Sequence, residues 1–248
     1  MTRLAVLSDV HGNLPALEAT LAAIRAERPD HVLVAGDLVL NGPDPGAVID
    51  ALRALEADGA AIVSGNTDIA VADFDFGAAF PHLQDGVPES IQLAAEWAHD
   101  ELSDEQLGWL RRLPSERRVR VDDDVLVLVV HASPGSQTRG FDQALDANVV
   151  LERAAATDAR VISVGHTHVP EVRDLGWKVI VNAGSAGYVF DGDPTASWAS
   201  VTIVGGEVNA EIRRTPFDVL TVANAISARG LPGDVYRAAT VRTGKLVR

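Results

Sequence analysis

Hydrophobic positions along this chain follow two rhythms. Short apolar runs at Leu4 to Leu7, His31 to Ala35, Ala60 to Val63, Val125 to Val130 and Val161 to Val164 are rich in Val, Ile and Leu, and predict buried strands. Between the first three lie stretches with helical spacing. Pro15 to Glu27 opens on a proline in its first turn, and Pro45 to Ala57 is closed by Gly59. Strand, helix, strand, helix, strand implies a parallel sheet. After Val125 the runs lie closer together. Lys178 to Val181, Ala199 to Val204 and Glu207 to Ile212 alternate as antiparallel strands do, with Gly205-Gly206 as a hairpin turn. A second, mixed sheet is expected from this change.

Residues 70 to 114 have another texture. They lack strand-like runs, carry helical spacing around Glu89 to Leu102 and Asp104 to Leu110, and hold Phe74, Phe76, Phe80, Trp97 and Trp109. This segment reads as a helical insertion whose aromatics either pack it against the body or face a substrate as a lid. No repeat, low-complexity tract or linker divides the chain. Residues 1–248 are therefore read as one α/β domain.

Composition narrows the chemistry. With 248 residues, 47% of them hydrophobic, the chain can bury one sizeable core. No run approaches the roughly 20 apolar residues that span a bilayer, so neither a signal peptide nor a membrane anchor is expected, and a cytoplasmic location is. There is no cysteine, which excludes disulfides, thiolate-bound zinc, iron–sulfur clusters and thiol catalysis. Any metal must sit on oxygen and imidazole. The net charge is -14, with no block of Lys or Arg to track a phosphate backbone, so long nucleic acids are not expected partners.

Polar residues then stand out by where they fall. Asp9 follows Ala-Val-Leu-Ser, Asp37 follows Val-Leu-Val-Ala-Gly, Asn66 follows Ala-Ile-Val-Ser-Gly, His131 follows Leu-Val-Leu-Val-Val, and His166 follows Val-Ile-Ser-Val-Gly. If these strands share a sheet, their ends meet on one rim, where open α/β sheets place ligands. Two ends are doubled, as Asp9-Val10-His11 and His166-Thr167-His168, and residues two apart in extended chain point to one side. Imidazole, carboxylate and amide oxygen together suit manganese, iron or zinc better than calcium. Glycines 12, 36, 65 and 165 flank these residues, consistent with tight turns.

The order D-x-H, G-D, G-N, H, G-H-x-H over Asp9 to His168 resembles the calcineurin-like metallophosphoesterases. The Asp9 to Asn13 opening, His131-Ala-Ser-Pro and Asn182-Ala-Gly-Ser-Ala-Gly are similar to the small bacterial phosphodiesterases of that superfamily. The resemblance implies a four-layer α/β/β/α sandwich of two mixed sheets flanked by helices. It implies one divalent cation on Asp9, His11, Asp37 and His168 and another on Asp37, Asn66, His131 and His166. Manganese is expected first, with iron, zinc, nickel or cobalt as alternatives. A hydroxide shared by two such ions would attack phosphorus in line, without a protein nucleophile. The substrate implied is a small phosphodiester, with phosphomonoesters second and a homo-oligomer left open.

Asn13 is a candidate donor to phosphoryl oxygens, and Thr67 and Asp68 complete the candidate catalytic set. Many relatives have Gly-Asn-His-Asp where this chain has Gly65-Asn66-Thr67-Asp68, and that histidine protonates the leaving group. Thr67 instead either orients a water or substrate, or caps the following segment. The Gly-Asp-x-x-Asp-Arg-Gly segment of related protein phosphatases is absent, since Asp37 leads into Leu38-Val39-Leu40-Asn41-Gly42. Dinucleoside polyphosphate hydrolysis and a metal-binding scaffold with weak catalysis remain as rivals. His31, His82 and His99 read as surface or cap residues, Asp122 to Asp124 as a solvated turn, and Asn182 to Gly187 as a tight loop behind the site.

Overall fold

A computed structural model of the chain describes residues 1–121 and 125–248. The expected turn at Asp122 to Asp124 lies outside them. The first sheet contains β1 (Thr2–Leu7), β2 (His31–Ala35), β3 (Ala61–Val63), β9 (Ala196–Val204) and β10 (Glu207–Thr215), in the order β10-β9-β1-β2-β3. β1, β2 and β3 run parallel, and the β9–β10 hairpin adds to β1 antiparallel. Gly205 and Gly206 form its two-residue turn with φ of 57° and 82°, the left-handed pair such a turn demands.

The second sheet contains β4 (Glu116–Arg120), β5 (Leu126–Val130), β6 (Val161–Val164), β7 (Glu171–Asp174) and β8 (Val179–Asn182), in the order β4-β5-β6-β8-β7. β8 runs parallel to β6 and antiparallel to β7, so the alternation read for this strand gave only half its pairing.

Alternate side chains show why the apolar runs are uninterrupted. Leu4 and Val6 of β1, Leu33 and Ala35 of β2, Val127 and Val129 of β5, and Val179 and Val181 of β8 share one core between the sheets. Their neighbours point the other way. Ala5, Leu7 and Val34 meet α1 (Leu14–Glu27), α2 (Pro45–Ala57), α5 (Glu89–Asp100) and α6 (Asp104–Arg112). Leu128, Val130, Ile162 and Ile180 meet α7 (Ala147–Ala155). Both faces of each sheet are covered, which gives the expected α/β/β/α layers.

The segment 70–114 is helical, with α3 (Asn66–Asp73) and α4 (Phe76–Ala79) leading into α5 and α6. Its aromatics divide. Trp109 is buried, Phe76 and Trp97 pack against the same core, and Phe80 does both, since it also lines the cleft described below. Two further helices, α8 (Val219–Arg229) and α9 (Asp234–Thr243), close a smaller core around Tyr188. No helix among the described residues is long and apolar enough to cross a membrane.

Glycine-to-alanine changes read this packing directly. A Cβ at Gly165 would lie 1.9 Å from Ser8 Oγ and 2.1 Å from Asp9 Oδ2. Gly165→Ala should cost about 1–3 kcal/mol in denaturant unfolding. Gly108 sits inside α6, with only the flexible end of Arg112 nearby at 3.3 Å. Gly108→Ala should instead stabilise by about 0.5–1 kcal/mol. Equal effects at the two positions would contradict the tight approach of β6 to β1.

Candidate metal centre

Each of the polar residues sits just past a strand end, on backbone that has stopped being extended. Asp9, His11, Asp37, His166 and His168 have φ of 55°, 52°, 56°, 69° and 58°. This corrects the expectation that the doubled pairs lie in extended chain. Left-handed backbone costs a residue with a Cβ about 1–3 kcal/mol, and clusters where geometry matters more than stability. Cross-braces hold it. Asp9 N–H donates to Gly36 O (2.9 Å), His11 N–H to Asp37 O (3.0 Å), Gly12 N–H to Leu38 O (2.8 Å) and Gly165 N–H to His131 O (2.9 Å). His166 N–H donates to Asp9 Oδ2 at 2.9 Å, tying the second sheet's rim to the first.

The side chains converge as two groups. Asp9, His11, Asp37 and His168 are all buried and bring ligand atoms within 4.8 Å of one another. Asn66 Oδ1 lies 3.0 Å from both His131 Nε2 and His166 Nδ1, and those nitrogens are 3.1 Å apart. Asp37 belongs to both groups. Its Oδ2 is 3.6 Å from His11 Nε2, and its Oδ1 is 3.4 Å from His131 Nε2.

Three imidazoles are aimed by backbone carbonyls. Nδ1 of His11 faces Leu40 O (2.9 Å), Nδ1 of His131 faces Ala35 O (2.7 Å), and Nδ1 of His168 faces Tyr188 O. A carbonyl can only accept, so Nδ1 carries the proton, and in the neutral ring Nε2 carries the lone pair. The Nε2 atoms of His11 and His168 then face each other at 3.2 Å, lone pair to lone pair. Asp9 Oδ1 lies 3.2 Å from His168 Nε2 and is a buried oxygen without a hydrogen bond. Converging lone pairs with nothing between them are what a cation relieves, and carbonyl-oriented imidazoles are typical of metal ligands.

A sequence profile of the calcineurin-like phosphoesterase superfamily domain matches residues 2–206. The chain belongs to that superfamily. A metallophosphoesterase from Sphaerobacter thermophilus superposes with a TM-score of 0.74 at 28% identity, covering 98% of this chain and 99% of the other. A hypothetical protein from Pyrococcus horikoshii shares the fold at a TM-score of 0.83, with 20% identity and coverage of 98% and 99%. An uncharacterised protein of Methanocaldococcus jannaschii is 25% identical over 247 residues, 92% of this chain and 93% of the relative. A symmetrical bis(5'-nucleosyl)-tetraphosphatase of Acidovorax sp. is 35% identical over 127 residues, 51% of this chain and 42% of the relative.

This calcineurin-like phosphoesterase thus has a candidate metal site on Asp9, His11, Asp37 and His168. The superfamily implies divalent ions, and the facing lone pairs fit them.

Charge in the metal-free cluster is uneven. Burial pushes His11 and His166 down to about 4. Burial acts the same way on His131, but the Asp37 carboxylate outweighs it and raises the ring to about 10. Asp37 and Asp9 are pushed up by burial, yet the surrounding imidazoles hold both below the ordinary carboxylate range. Burial, then the Asp37 charge, lifts Asp68 to about 7.

The candidate catalytic residues are placed differently from one another. Asp68 accepts from the N–H groups of Asp37 (3.0 Å), Leu38 (2.8 Å) and Gly65 (2.8 Å), so its carboxylate is spent on the loops after β2 and β3. Asn13 caps α1 by accepting from Ala16 N–H (3.1 Å), and its amide donates to Gly187 O (2.8 Å). Thr67 lines the cleft and donates its backbone N–H to Asp37 Oδ1 (2.9 Å), while its hydroxyl is buried without a partner. The loop at Asn182 to Gly187 closes behind Asp9, where Ser185 Oγ donates to Asp9 O (2.6 Å).

The cleft over the cluster also holds residues that sequence reasoning missed: His82, Tyr188, Phe190, Tyr236 and Arg237. His82 was read as a surface or cap residue. It is exposed, but in the cleft, on a turn where Leu83 N–H donates to Phe80 O (3.0 Å). Phe80-Pro81-His82-Leu83 carries a proline turn signal, though nothing in the pattern says what the turn faces.

His131 gives a measurable consequence. Its ring stays doubly protonated up to about 10 in the metal-free cluster, and Nδ1 keeps its proton on Ala35 O. A cation on Nε2 must expel the other proton. Calorimetric titration with manganese near pH ~8, in buffers of different ionisation enthalpy, should show release of about one proton. Release should fall toward zero in His131→Ala. No release from the natural protein would overturn this charge assignment.

Proposed function

We propose that this chain is a phosphodiesterase of small substrates, with phosphomonoesters second, that works with two divalent cations. One would sit on Asp9, His11, Asp37 and His168, the other on Asp37, Asn66, His131 and His166. Manganese is preferred, because the donor set mixes carboxylate, amide oxygen and imidazole. The observation that carries this reading is Asp37, whose two oxygens face two different groups of imidazoles. Bound there, the cations would polarise the ester and make water a competent nucleophile near neutral pH.

The chain's own residues fix the geometry. The carbonyls of Leu40, Ala35 and Tyr188 hold three rings by Nδ1, and Asp68 and Thr67 N–H hold the loop and carboxylate of Asp37. The Thr67 hydroxyl is buried without a hydrogen-bond partner, and it cannot serve as a proton source of neutral pKa. The rival is a metal-binding scaffold with weak catalysis, which would share the five left-handed residues and the unpaired Asp9 Oδ1, so turnover separates the two readings.

A second reading, hydrolysis of a dinucleoside polyphosphate, draws on the 35% identity to the Acidovorax tetraphosphatase. It is weaker, because that match covers 42% of the relative.

With manganese added, the protein should turn over bis(4-nitrophenyl) phosphate. Asp37→Asn and His131→Ala should each lower kcat by about a hundredfold or more. Retained turnover in both variants would remove the cluster from the reaction. Without a proton donor at position 67, diesters with alkyl leaving groups should trail aryl ones by about a hundredfold or more. A rate independent of leaving-group pKa would show that another side chain supplies the proton.

A further inference from the structure

The cluster occupies one part of a cleft of about 820 Å3, a size suited to a whole organic molecule and more than a phosphoryl group needs. Away from the cluster most of its exposed lining is apolar, and the apolar side chains come mainly from two sources. The helical insertion supplies Phe80, Leu83 and Ile91, and the chain after β8 supplies Phe190, Tyr236 and Leu246. Tyr236 and Leu246 lie beyond residue 206, where the superfamily match ends. This part of the lining lies outside the segment that the superfamily profile matches.

Flat surface begins at the cluster. The Phe190 ring stacks on His168 with centroids 4.1 Å apart and 11° between planes. Tyr236 is 49% exposed and Leu246 42%. Apolar area left in water inside a concavity marks a surface awaiting a partner. Cations, in contrast, are few. Among the described residues the lining holds Arg237 and Arg248. The Arg237 guanidinium is committed to Asn41 Oδ1 (3.2 Å), Pro232 O (2.9 Å), Asp234 Oδ1 (3.0 Å) and Ser90 O. That leaves Arg248, among the described residues, as the one full positive charge that a chain of phosphates would meet in the lining beyond the cluster.

We infer that this cleft binds the organic arm of a single-phosphate ester, and that the arm carries a planar aromatic group seated against Phe190 and Tyr236. The inference rests on the phosphodiesterase reading and names which diesters it takes. Aromatic contacts orient the ester, so its phosphorus meets the cluster while the arm lies along the cleft.

The test keeps the leaving group constant. Diesters of 4-nitrophenol whose second arm is methyl, phenyl or thymidine are compared by KM with manganese present. The phenyl or thymidine ester should have a KM about tenfold below the methyl ester. Tyr236→Ala and, separately, Leu246→Ala should bring that ratio toward one. Trp177→Ala, an exposed aromatic between β7 and β8 and outside the cleft, should leave it as it is. A lower KM for thymidine assigns a nucleobase, and a lower KM for phenyl assigns a simpler aryl group.

An independent readout needs no turnover: saturation transfer from the metal-free protein to the ring protons of phenylphosphonate should weaken in Tyr236→Ala. Equal KM values for all three arms, a ratio unmoved by both variants, or a higher kcat/KM for a dinucleoside tetraphosphate than for every single-phosphate diester would overturn the inference. If no diester is turned over at all, the phosphodiesterase reading fails by itself. Saturation transfer then decides the cleft alone.

Discussion

Two carboxylates and four imidazoles are buried together at one rim, and the cost of taking so many ionisable groups out of water is the constraint around which this fold is organised. Asp9 and Asp37 each feel the full cost of burial, and His11 meets His168 nitrogen to nitrogen. Such an arrangement persists only if the surrounding backbone cannot yield. The sandwich supplies that stiffness. Two sheets share a core of small branched residues, and close approaches at Gly165 and Gly65 leave no room for loops to drift. Asp68 adds a buried anchor, pinning the chain after β2 to the chain after β3 with three hydrogen bonds. Packing energy gathered over the whole domain is spent at one rim.

How much of this could be read from the chain follows from the same physics. Strands buried on both faces are continuous apolar runs, so β1, β2, β5 and β6 were legible to within a residue or two, and each announced the polar residue at its end. β4 and β7 were not. Both lie at sheet edges, where sequences such as Glu116-Arg117-Arg118-Val119-Arg120 satisfy one neighbour and water, and their polarity hides them. The cluster was legible as a set of residues but not as a geometry. Asp9 and His11 converge through left-handed turns rather than through a strand's alternation, and a non-glycine residue gives no sign of positive φ in its own name. Asn13 shows what the sequence leaves out, since its amide is held by α1 and by Gly187, the second of these a contact that no local pattern announces.

The cleft was the least legible part, because its walls come from places far apart in the chain. Arg229 and Arg237 share Asp234 and between them reach Asn41, Gly42 and Ser90. Arg229 also lies over the Trp97 ring at 4.5 Å. This buried pair of arginines ties α8 and α9 to the loop after β2 and to the insertion. Truncating Asp234 would leave two guanidinium groups short of a counter-charge, the situation in which a buried ion pair matters most. Nothing local to Val219–Thr243 says that these helices dock there. These two helices were not among the elements expected from the sequence, and the arginine contacts fix what they cover.

These two layers of organisation bear different burdens. Attack on phosphorus depends on charge placed to within fractions of an ångström, so it is built on strand ends and braced by hydrogen bonds between them. Recognition of an organic arm tolerates looser fitting, and it is built from side chains on a turn, a helix pair and the segment after α9. Tyr236 can change without disturbing the core between the sheets, whereas Gly165 cannot, because its missing Cβ is the space in which Ser8 and Asp9 sit. A fold divided in this way can keep its hydrolytic centre while exchanging the substrates brought to it, and here part of the exchangeable wall, Tyr236 and Leu246, lies beyond residue 206, where the superfamily match ends.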